Sequence, residues 1–146
     1  MKASEISVGD YVKALNYYDD GSPHIGQVDG IIKKHGTYYC VFGVREITVE
    51  IDKCEPIELT REILEKNEFV EQKSSGIFFA YDTEDDADQQ VEIMLFHVES
   101  PFGANARLLI KYQLGDESTL FRGVCNCVHE LQRALDLCCI RRKIEL

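Results

Sequence analysis

The sequence contains no tryptophan, only three prolines and two methionines, and far fewer basic residues than acidic ones. Sixteen Lys and Arg residues stand against 26 Asp and Glu residues, which makes the formal net charge -10. A deficit of positive charge disfavours nonspecific binding to DNA, RNA or an anionic membrane, because their phosphate groups attract cations. We therefore expect neither direct nucleic-acid binding nor membrane binding, and the acidity fits a protein that binds basic protein surfaces. A small anionic ligand is the other expected partner, because of the cationic residues near the end of the chain. Self-association into a homo-oligomer stays open.

Long apolar runs are also missing. No stretch approaches the run of about 18 apolar residues that spans a bilayer, and residues 1–5 lack the apolar core of a secretory signal. A cytoplasmic location is the resulting expectation. The six cysteines are then expected to be reduced thiols, because cytosolic reductants keep disulfides from persisting.

Sequence signatures of catalysis and cofactor binding are absent. There is no Gly-x-x-x-x-Gly-Lys loop, no strand-linked Gly-x-Gly-x-x-Gly, and neither Cys-x-x-Cys nor His-x-x-x-His spacing. The acidic segment Asp82–Asp88 places carboxylates at alternate positions, but Ala87 and Ile93 replace the glycine and glutamate of a calcium loop. We interpret that segment as a solvated hairpin tip, and we expect no metal and no cofactor.

The first part of the chain is rich in β-branched and aromatic residues and is interrupted by glycines, which is typical of short strands joined by tight turns. The pattern predicts strands near Asp10–Asn16, His24–Lys34, Thr37–Val44 and Glu46–Asp52. Antiparallel strands of this length favour an SH3-like small β-barrel or half-barrel. Because Pro56 opens a different segment, we predict subdomains at residues 1–56 and 57–146, with a single compact unit as the alternative.

The second part is predicted to combine helices with an antiparallel sheet. Thr60 has the character of an N-cap, and Leu59 and Leu64 have the spacing of a hydrophobic staple, so a short helix is expected at Arg61–Glu68. Further predicted elements are strands at Gly76–Asp82, Gln89–Val98 and Arg107–Leu114 and an irregular or strand-like lead-in at Asp116–Arg122. They are followed by an amphipathic helix at Val124–Cys138 and a partly strand-like end at Ile140–Leu146. The expected fold class is therefore α+β.

Two groups of residues are candidates for ligand binding. Arg133, Arg141, Arg142 and Lys143 form a local cationic patch at the end of the acidic chain, and bidentate arginine contacts suit phosphate. Tyr17 and Tyr18 lie in a polar loop, where we expect both rings to be exposed and able to stack on a ligand base or a partner surface. The simpler interpretation, which we favour for the basic residues, is that they are solvated and complement the helix dipole.

A catalytic alternative involves cysteine and histidine. On the predicted C-terminal helix, Cys125 and His129 would be at i,i+4 positions, with Asp136 on the same flank to orient the imidazole. No nucleophile turn or oxyanion loop accompanies this trio. We therefore expect a non-enzymatic protein, with a Cys/His-dependent enzyme and a regulatory or structural interaction module as the alternatives.

Three motifs carry a resemblance to a known family. They are Ile6-x-Val8-Gly9-Asp10-Tyr11-Val12, the segment Glu55–Phe69 with its pattern PI-LT-x-EIL-x-KN-x-F, and the segment Val128–Leu135, which begins VHELQ. In this order they resemble a family of small uncharacterised proteins found in phages and mobile elements of Bacteroidetes-type bacteria. The sequence departs from the family in having Glu68 where glycine is expected, at the predicted helix C-cap, and Arg133 where asparagine is usual.

The resemblance implies a phage or mobile-element setting inside a host bacterial cell and implies no particular activity. Combined with the acidity and the missing catalytic motifs, it leads to the hypothesis of a binding protein that inhibits host antiviral defence. Such a protein would either sequester an anionic nucleotide signal or bind a host protein.

Overall fold

The computed structural model describes residues 1–2, 4–15, 17–18, 21–43, 47–83, 90–100, 105–112 and 119–146. The chain divides into two compact units, Met1–Ile57 and Glu58–Leu146. Antiparallel sheets and two helices, the second near the C-terminus, make the fold α+β, which confirms the predicted class. Whether residues 1–56 and 57–146 are separate domains stays a prediction. Neither helix is long and apolar enough to cross a membrane, within the residues just given.

Short strands make up the N-terminal unit. They are β1 (Tyr11–Ala14), β2 (His24–Gln27), β3 (Gly30–Lys34), β4 (Thr37–Phe42), β5 (Ile47–Glu50) and β6 (Cys54–Pro56), with a 3₁₀ turn at Ile51–Lys53. They form two antiparallel three-stranded sheets, in the orders β2-β1-β6 and β3-β4-β5. In the part of the chain that the structure describes, the two sheets are not closed into a barrel by strand pairing.

The predicted strand His24–Lys34 is two strands, because the chain passes from one sheet to the other between them. The Val28 amide donates to the Asp10 carbonyl oxygen at 2.8 Å, whereas the Asp29 amide donates to the Val41 carbonyl oxygen at 2.9 Å. Val28 itself is fully buried. The core of the unit is formed by Ile6, Val12, Ala14, Val28, Cys40, Phe42, Val49, Ile51 and Cys54.

The C-terminal unit is an antiparallel meander with two helices. Its elements are α1 (Arg61–Lys66), β7 (Val70–Glu71), β8 (Phe78–Thr83), β9 (Gln90–Phe96), β10 (Arg107–Tyr112), β11 (Thr119–Val124) and α2 (Val128–Leu137). The strand order is β11-β10-β9-β8-β7. Alternate residues of β9 and β10, among them Ile93, Leu95, Leu108 and Ile110, are fully buried, so one face of the sheet contributes to the core.

The predicted N-cap at the start of α1 is confirmed. The Ile63 amide donates to Thr60 Oγ1 at 3.4 Å, and both Leu59 and Leu64 are buried. The helix ends at Lys66, two residues earlier than predicted.

The second helix, α2, begins at Val128, four residues later than predicted, because residues up to Val124 belong to β11. The expected strand at Ile140–Leu146 was wrong: residues 141–146 have no regular secondary structure.

Both helices end in a Schellman motif with an unusual residue at its left-handed position. After α1, the Glu68 amide donates to the Glu65 carbonyl oxygen at 3.1 Å and the Phe69 amide to the Leu64 carbonyl oxygen at 3.0 Å. Glu68 has φ 64°, a conformation that favours glycine. The C-cap is therefore formed although glutamate replaces the glycine expected from the family resemblance. Cys139 occupies the same position after α2, with φ 56°.

Replacing Glu68 with glycine is expected to stabilise the protein by about 0.5–1 kcal/mol, because glycine removes the Cβ strain of the left-handed conformation. The matched control is Glu65→Gly inside α1, which should instead destabilise by about 0.5–1 kcal/mol. Urea unfolding of the two variants measures both changes. A loss of stability in Glu68→Gly would show that the glutamate side chain contributes more than its backbone conformation costs.

Candidate functional site

The face of the C-terminal sheet opposite its core carries basic and apolar side chains in rows. Cross-strand partners lie on the same face of a sheet, so the register places Phe96, Arg107 and Val124 in one row across β9, β10 and β11. The next row places Met94, Leu109 and Arg122 across the same strands. Arg107 and Arg122 are therefore diagonal neighbours, with Cα atoms about 7–8 Å apart.

The second row continues to the other edge of the sheet. Met94 pairs with Phe79 of β8, and Phe79 pairs with Val70 of β7. Val70 is 57% exposed, and Val124 in the neighbouring row is 51% exposed. An apolar strip thus crosses four strands and ends at the Arg122 side chain on the edge strand β11.

A groove of about 600 Å³ lies at this end of the open face, and we call it the arginine groove. Its lining includes Phe96, His97, Arg107, Leu109, Arg122 and Val124. The volume falls within the range of about 300–1,000 Å³ that is usual for small-molecule sites. Arginines beside an aromatic and aliphatic floor suit a ligand that joins a flat apolar part to an anionic one.

Electrostatics make the arginine groove unusual in this acidic chain. Among the described residues that line it, none is Asp or Glu. Neither Arg107 nor Arg122 forms an ion pair or a side-chain hydrogen bond with another residue in the described ranges. In contrast, Lys111, one row further along β10, pairs with Glu92 at 3.1 Å. Among the described residues, therefore, no carboxylate competes with an external anion for these two guanidinium groups.

The basic residues predicted from the sequence occupy a second groove. Arg141, Arg142 and Lys143 line a polar groove of about 490 Å³ together with Lys66, Asn67, Glu68, Asp82 and Glu145. Three carboxylates in this lining offset most of its positive charge. Lys143 pairs with Asp136 at 3.1 Å. Arg133 is half-buried on α2 and lies outside this lining, so its role in binding stays a prediction.

Most of the Arg142 guanidinium is occupied by contacts with other residues of the fold. Its Nε donates to Asp82 Oδ2 at 2.8 Å, and its terminal nitrogens donate to the carbonyl oxygens of Asn67 at 2.7 Å and Tyr81 at 3.2 Å. The guanidinium also lies over the Phe69 ring, 5.6 Å from its centroid. These contacts join the C-terminal segment to α1 and β8, which leaves little of Arg142 for a ligand.

Tyr17 and Tyr18 belong to the N-terminal unit, where they contact each other and His24. The Tyr17 ring stacks on the imidazole with centroids 4.3 Å apart, and a hydrogen bond of 3.2 Å joins the Tyr18 hydroxyl to His24 Nδ1. A side chain at Gly26 would collide with this imidazole, so the glycine makes room for the stack. Tyr18 is 50% exposed, whereas Tyr17 is half-buried and burial raises its pKa.

The predicted arrangement of Cys125, His129 and Asp136 is wrong, because α2 begins at Val128 and Cys125 is not on it. Cys127, not Cys125, approaches the imidazole: its Sγ lies 3.4 Å from His129 Nε2. Burial raises the pKa of Cys125 and raises that of Cys127 to about 12. Asp136 is exposed and accepts hydrogen bonds from Gln132 and Lys143.

No group of three or more His, Cys, Asp or Glu side chains able to hold a metal ion is found in the described ranges. Most of the predicted acidic hairpin tip, residues 84–88, lies outside those ranges. Asp82, its first residue, pairs with Arg142 as described above.

Sequence reasoning missed Arg107 and Arg122. The alternation in the predicted strand Arg107–Leu114 puts Arg107, Leu109 and Lys111 on one face, and that signal was available. The position of Arg122 could not be predicted in this way, because Arg122 comes close to Arg107 only through the pairing register of β10 with β11.

Comparison with known proteins finds no matching family model, no matching curated protein and no matching solved structure.

Proposed function

We propose that this chain is a non-enzymatic binding protein that sequesters an anionic nucleotide in the arginine groove. The observation that carries the proposal is the pair Arg107 and Arg122, placed diagonally on an open apolar face with no carboxylate among the described residues of the lining. Guanidinium groups recognise phosphate through paired hydrogen bonds. An aromatic ring next to them, Phe96, offers a stacking surface for a base.

The acidity of the chain supports a small ligand rather than a nucleic acid. With a net charge of -10, the protein repels a long polyanion, whereas one nucleotide experiences mainly the local field of the two arginines. The alternative of a Cys/His-dependent enzyme is disfavoured, because a nucleophilic cysteine needs a lowered pKa and burial raises the pKa values of Cys125 and Cys127.

The biological setting of the proposal is a phage or mobile element acting in the cytoplasm of a host bacterium. It is supported by the sequence resemblance of the motifs at Glu55–Phe69 and Val128–Leu135. In that setting, a protein that binds a nucleotide signal and does not release it inhibits the antiviral defence that depends on the signal.

The arginine groove is tested by replacing both arginines with glutamine. Isothermal titration with a panel of ribonucleoside monophosphates and diphosphates should show a loss of affinity of at least about tenfold in Arg107→Gln/Arg122→Gln, because each charged hydrogen bond contributes about 1.5–3 kcal/mol. Arg141→Gln is the matched control, since Arg141 lines the other groove, and it should bind like the unmodified protein. Loss of affinity in the control alone would move the site to the C-terminal groove.

A host protein is the second candidate partner, favoured by the apolar strip of Val70, Phe79, Met94 and Leu109, which extends beyond the arginine groove. For the N-terminal unit, short antiparallel strands support the SH3-like architecture and a docking role. Native mass spectrometry of the protein purified gently from host cells separates the two candidates. A small adduct of nucleotide mass supports sequestration, and a stoichiometric complex with one protein supports docking.

A further inference from the structure

We propose that the arginine groove selects a nucleotide with two phosphoryl groups in series, with the base on Phe96, the first phosphoryl group at Arg107 and the second at Arg122. The inference rests on the proposed function and specifies its ligand. Nucleoside diphosphates carry the two groups directly linked, whereas linear dinucleotides with a 5′ phosphate carry two phosphates separated by a ribose; both present two phosphate charges to the arginines.

The order of the three side chains across the sheet is the first argument. Phe96, Arg107 and Arg122 lie on β9, β10 and β11, which are consecutive in the sheet. Phe96 and Arg107 are direct partners, with Cα atoms about 5 Å apart, and Arg122 lies a further 7–8 Å or so along the diagonal. A nucleoside 5′-diphosphate has the same order of base, first phosphate and second phosphate, with the ribose between the base and the first phosphate.

Charge is the second argument. A second phosphoryl group adds negative charge and acceptor oxygens, so a diphosphate can engage both guanidinium groups more completely than a monophosphate. No described Asp or Glu lines the groove to neutralise Arg122 from the protein side. A second phosphoryl group supplies the missing negative charge, and Arg122 should therefore distinguish diphosphates from monophosphates.

The experiment compares adenosine, AMP, ADP and the dinucleotide pApA by isothermal titration, with the uridine series repeated to test dependence on the base. The unmodified protein should bind ADP about tenfold more tightly than AMP, which corresponds to one additional charged contact. Arg122→Gln should remove this preference while leaving the affinity for AMP within about twofold. Arg107→Gln should weaken AMP and ADP alike by about tenfold. Arg122→Lys, which keeps the charge, should retain part of the preference.

The inference is overturned if the unmodified protein binds AMP and ADP equally, or if Arg122→Gln weakens both by the same factor. In those cases the proposed function still stands, because nucleotides bind and Arg107 contributes. Absence of binding by every nucleotide tested contradicts the proposed function itself. Tighter binding of pApA than of ADP assigns the ligand to dinucleotides, and the reverse assigns it to nucleoside diphosphates. Far-ultraviolet circular dichroism of each variant confirms that the fold is kept.

Discussion

Replacing Asn67 with alanine is expected to lower the free energy of unfolding by about 3 kcal/mol, a large effect for one polar side chain. Asn67 is only 7% exposed and follows the last residue of α1. Its Nδ2 donates to the carbonyl oxygens of Ile63 at 2.7 Å and Glu145 at 2.8 Å, and its Oδ1 accepts from the Glu145 amide at 2.8 Å. Alanine leaves these backbone groups without their partner.

Urea unfolding measures the change, with Asn105→Ala as the control because Asn105 is exposed. The control should change stability by less than about 0.5 kcal/mol. Amide hydrogen exchange adds a local readout, since the Glu145 amide should lose its protection in Asn67→Ala. A loss below about 1 kcal/mol would mean that solvent replaces the asparagine and that the C-terminal segment contributes little to the fold.

Replacing Arg142 with methionine is expected to destabilise the protein by about 2–3 kcal/mol, whereas Arg141→Met should cost less than about 0.5 kcal/mol. The two arginines are adjacent, yet the Arg142 side chain is 16% exposed and hydrogen-bonded to Asp82, Asn67 and Tyr81, whereas Arg141 is exposed. Methionine keeps most of the length and apolar surface of the side chain. The difference in unfolding free energy between the two variants therefore measures the contribution of the Arg142 hydrogen bonds and ion pair.

The same pair of variants separates structure from binding at the C-terminal groove. If Arg142 is structural, nucleotide affinity of the folded Arg142→Met protein should match that of the unmodified protein at a temperature well below its unfolding transition. Equal stability of the two variants together with lost affinity in Arg142→Met would restore Arg142 as a ligand residue and would count against the arginine groove.

Local sequence signals predicted much of the secondary structure. The start of α1 follows from Thr60 and its neighbours, because capping depends on residues close in sequence. Strands β8, β9 and β10 follow from apolar runs bounded by polar segments. The prediction failed at the start of α2 because Val124 fits the helical apolar pattern of the following residues, whereas in the structure it belongs to β11 and pairs with Arg107 of β10.

The side chains that lie together at the two grooves were harder to predict, because their proximity depends on contacts between residues far apart in sequence. The basic run at residues 141–143 is easily noticed in the sequence. In the structure, however, Arg142 donates hydrogen bonds to the Asp82 carboxylate and to the carbonyl oxygens of Asn67 and Tyr81. In contrast, Arg107 and Arg122 are isolated in sequence. Their proximity follows from strand register, which depends on the pairing of β10 with β11.

By itself the sequence determined the α+β class and the N-cap of α1. It also determined the negative net charge and the absence of familiar catalytic sequence motifs. These properties depend on composition, residue spacing and local backbone chemistry. Tertiary structure alone decided which basic residues are committed to the fold and which face solvent on an open sheet. It also decided that Cys127 rather than Cys125 approaches His129. The physical reason is that burial and cross-strand pairing are properties of the folded chain, whereas capping and periodicity are properties of short segments.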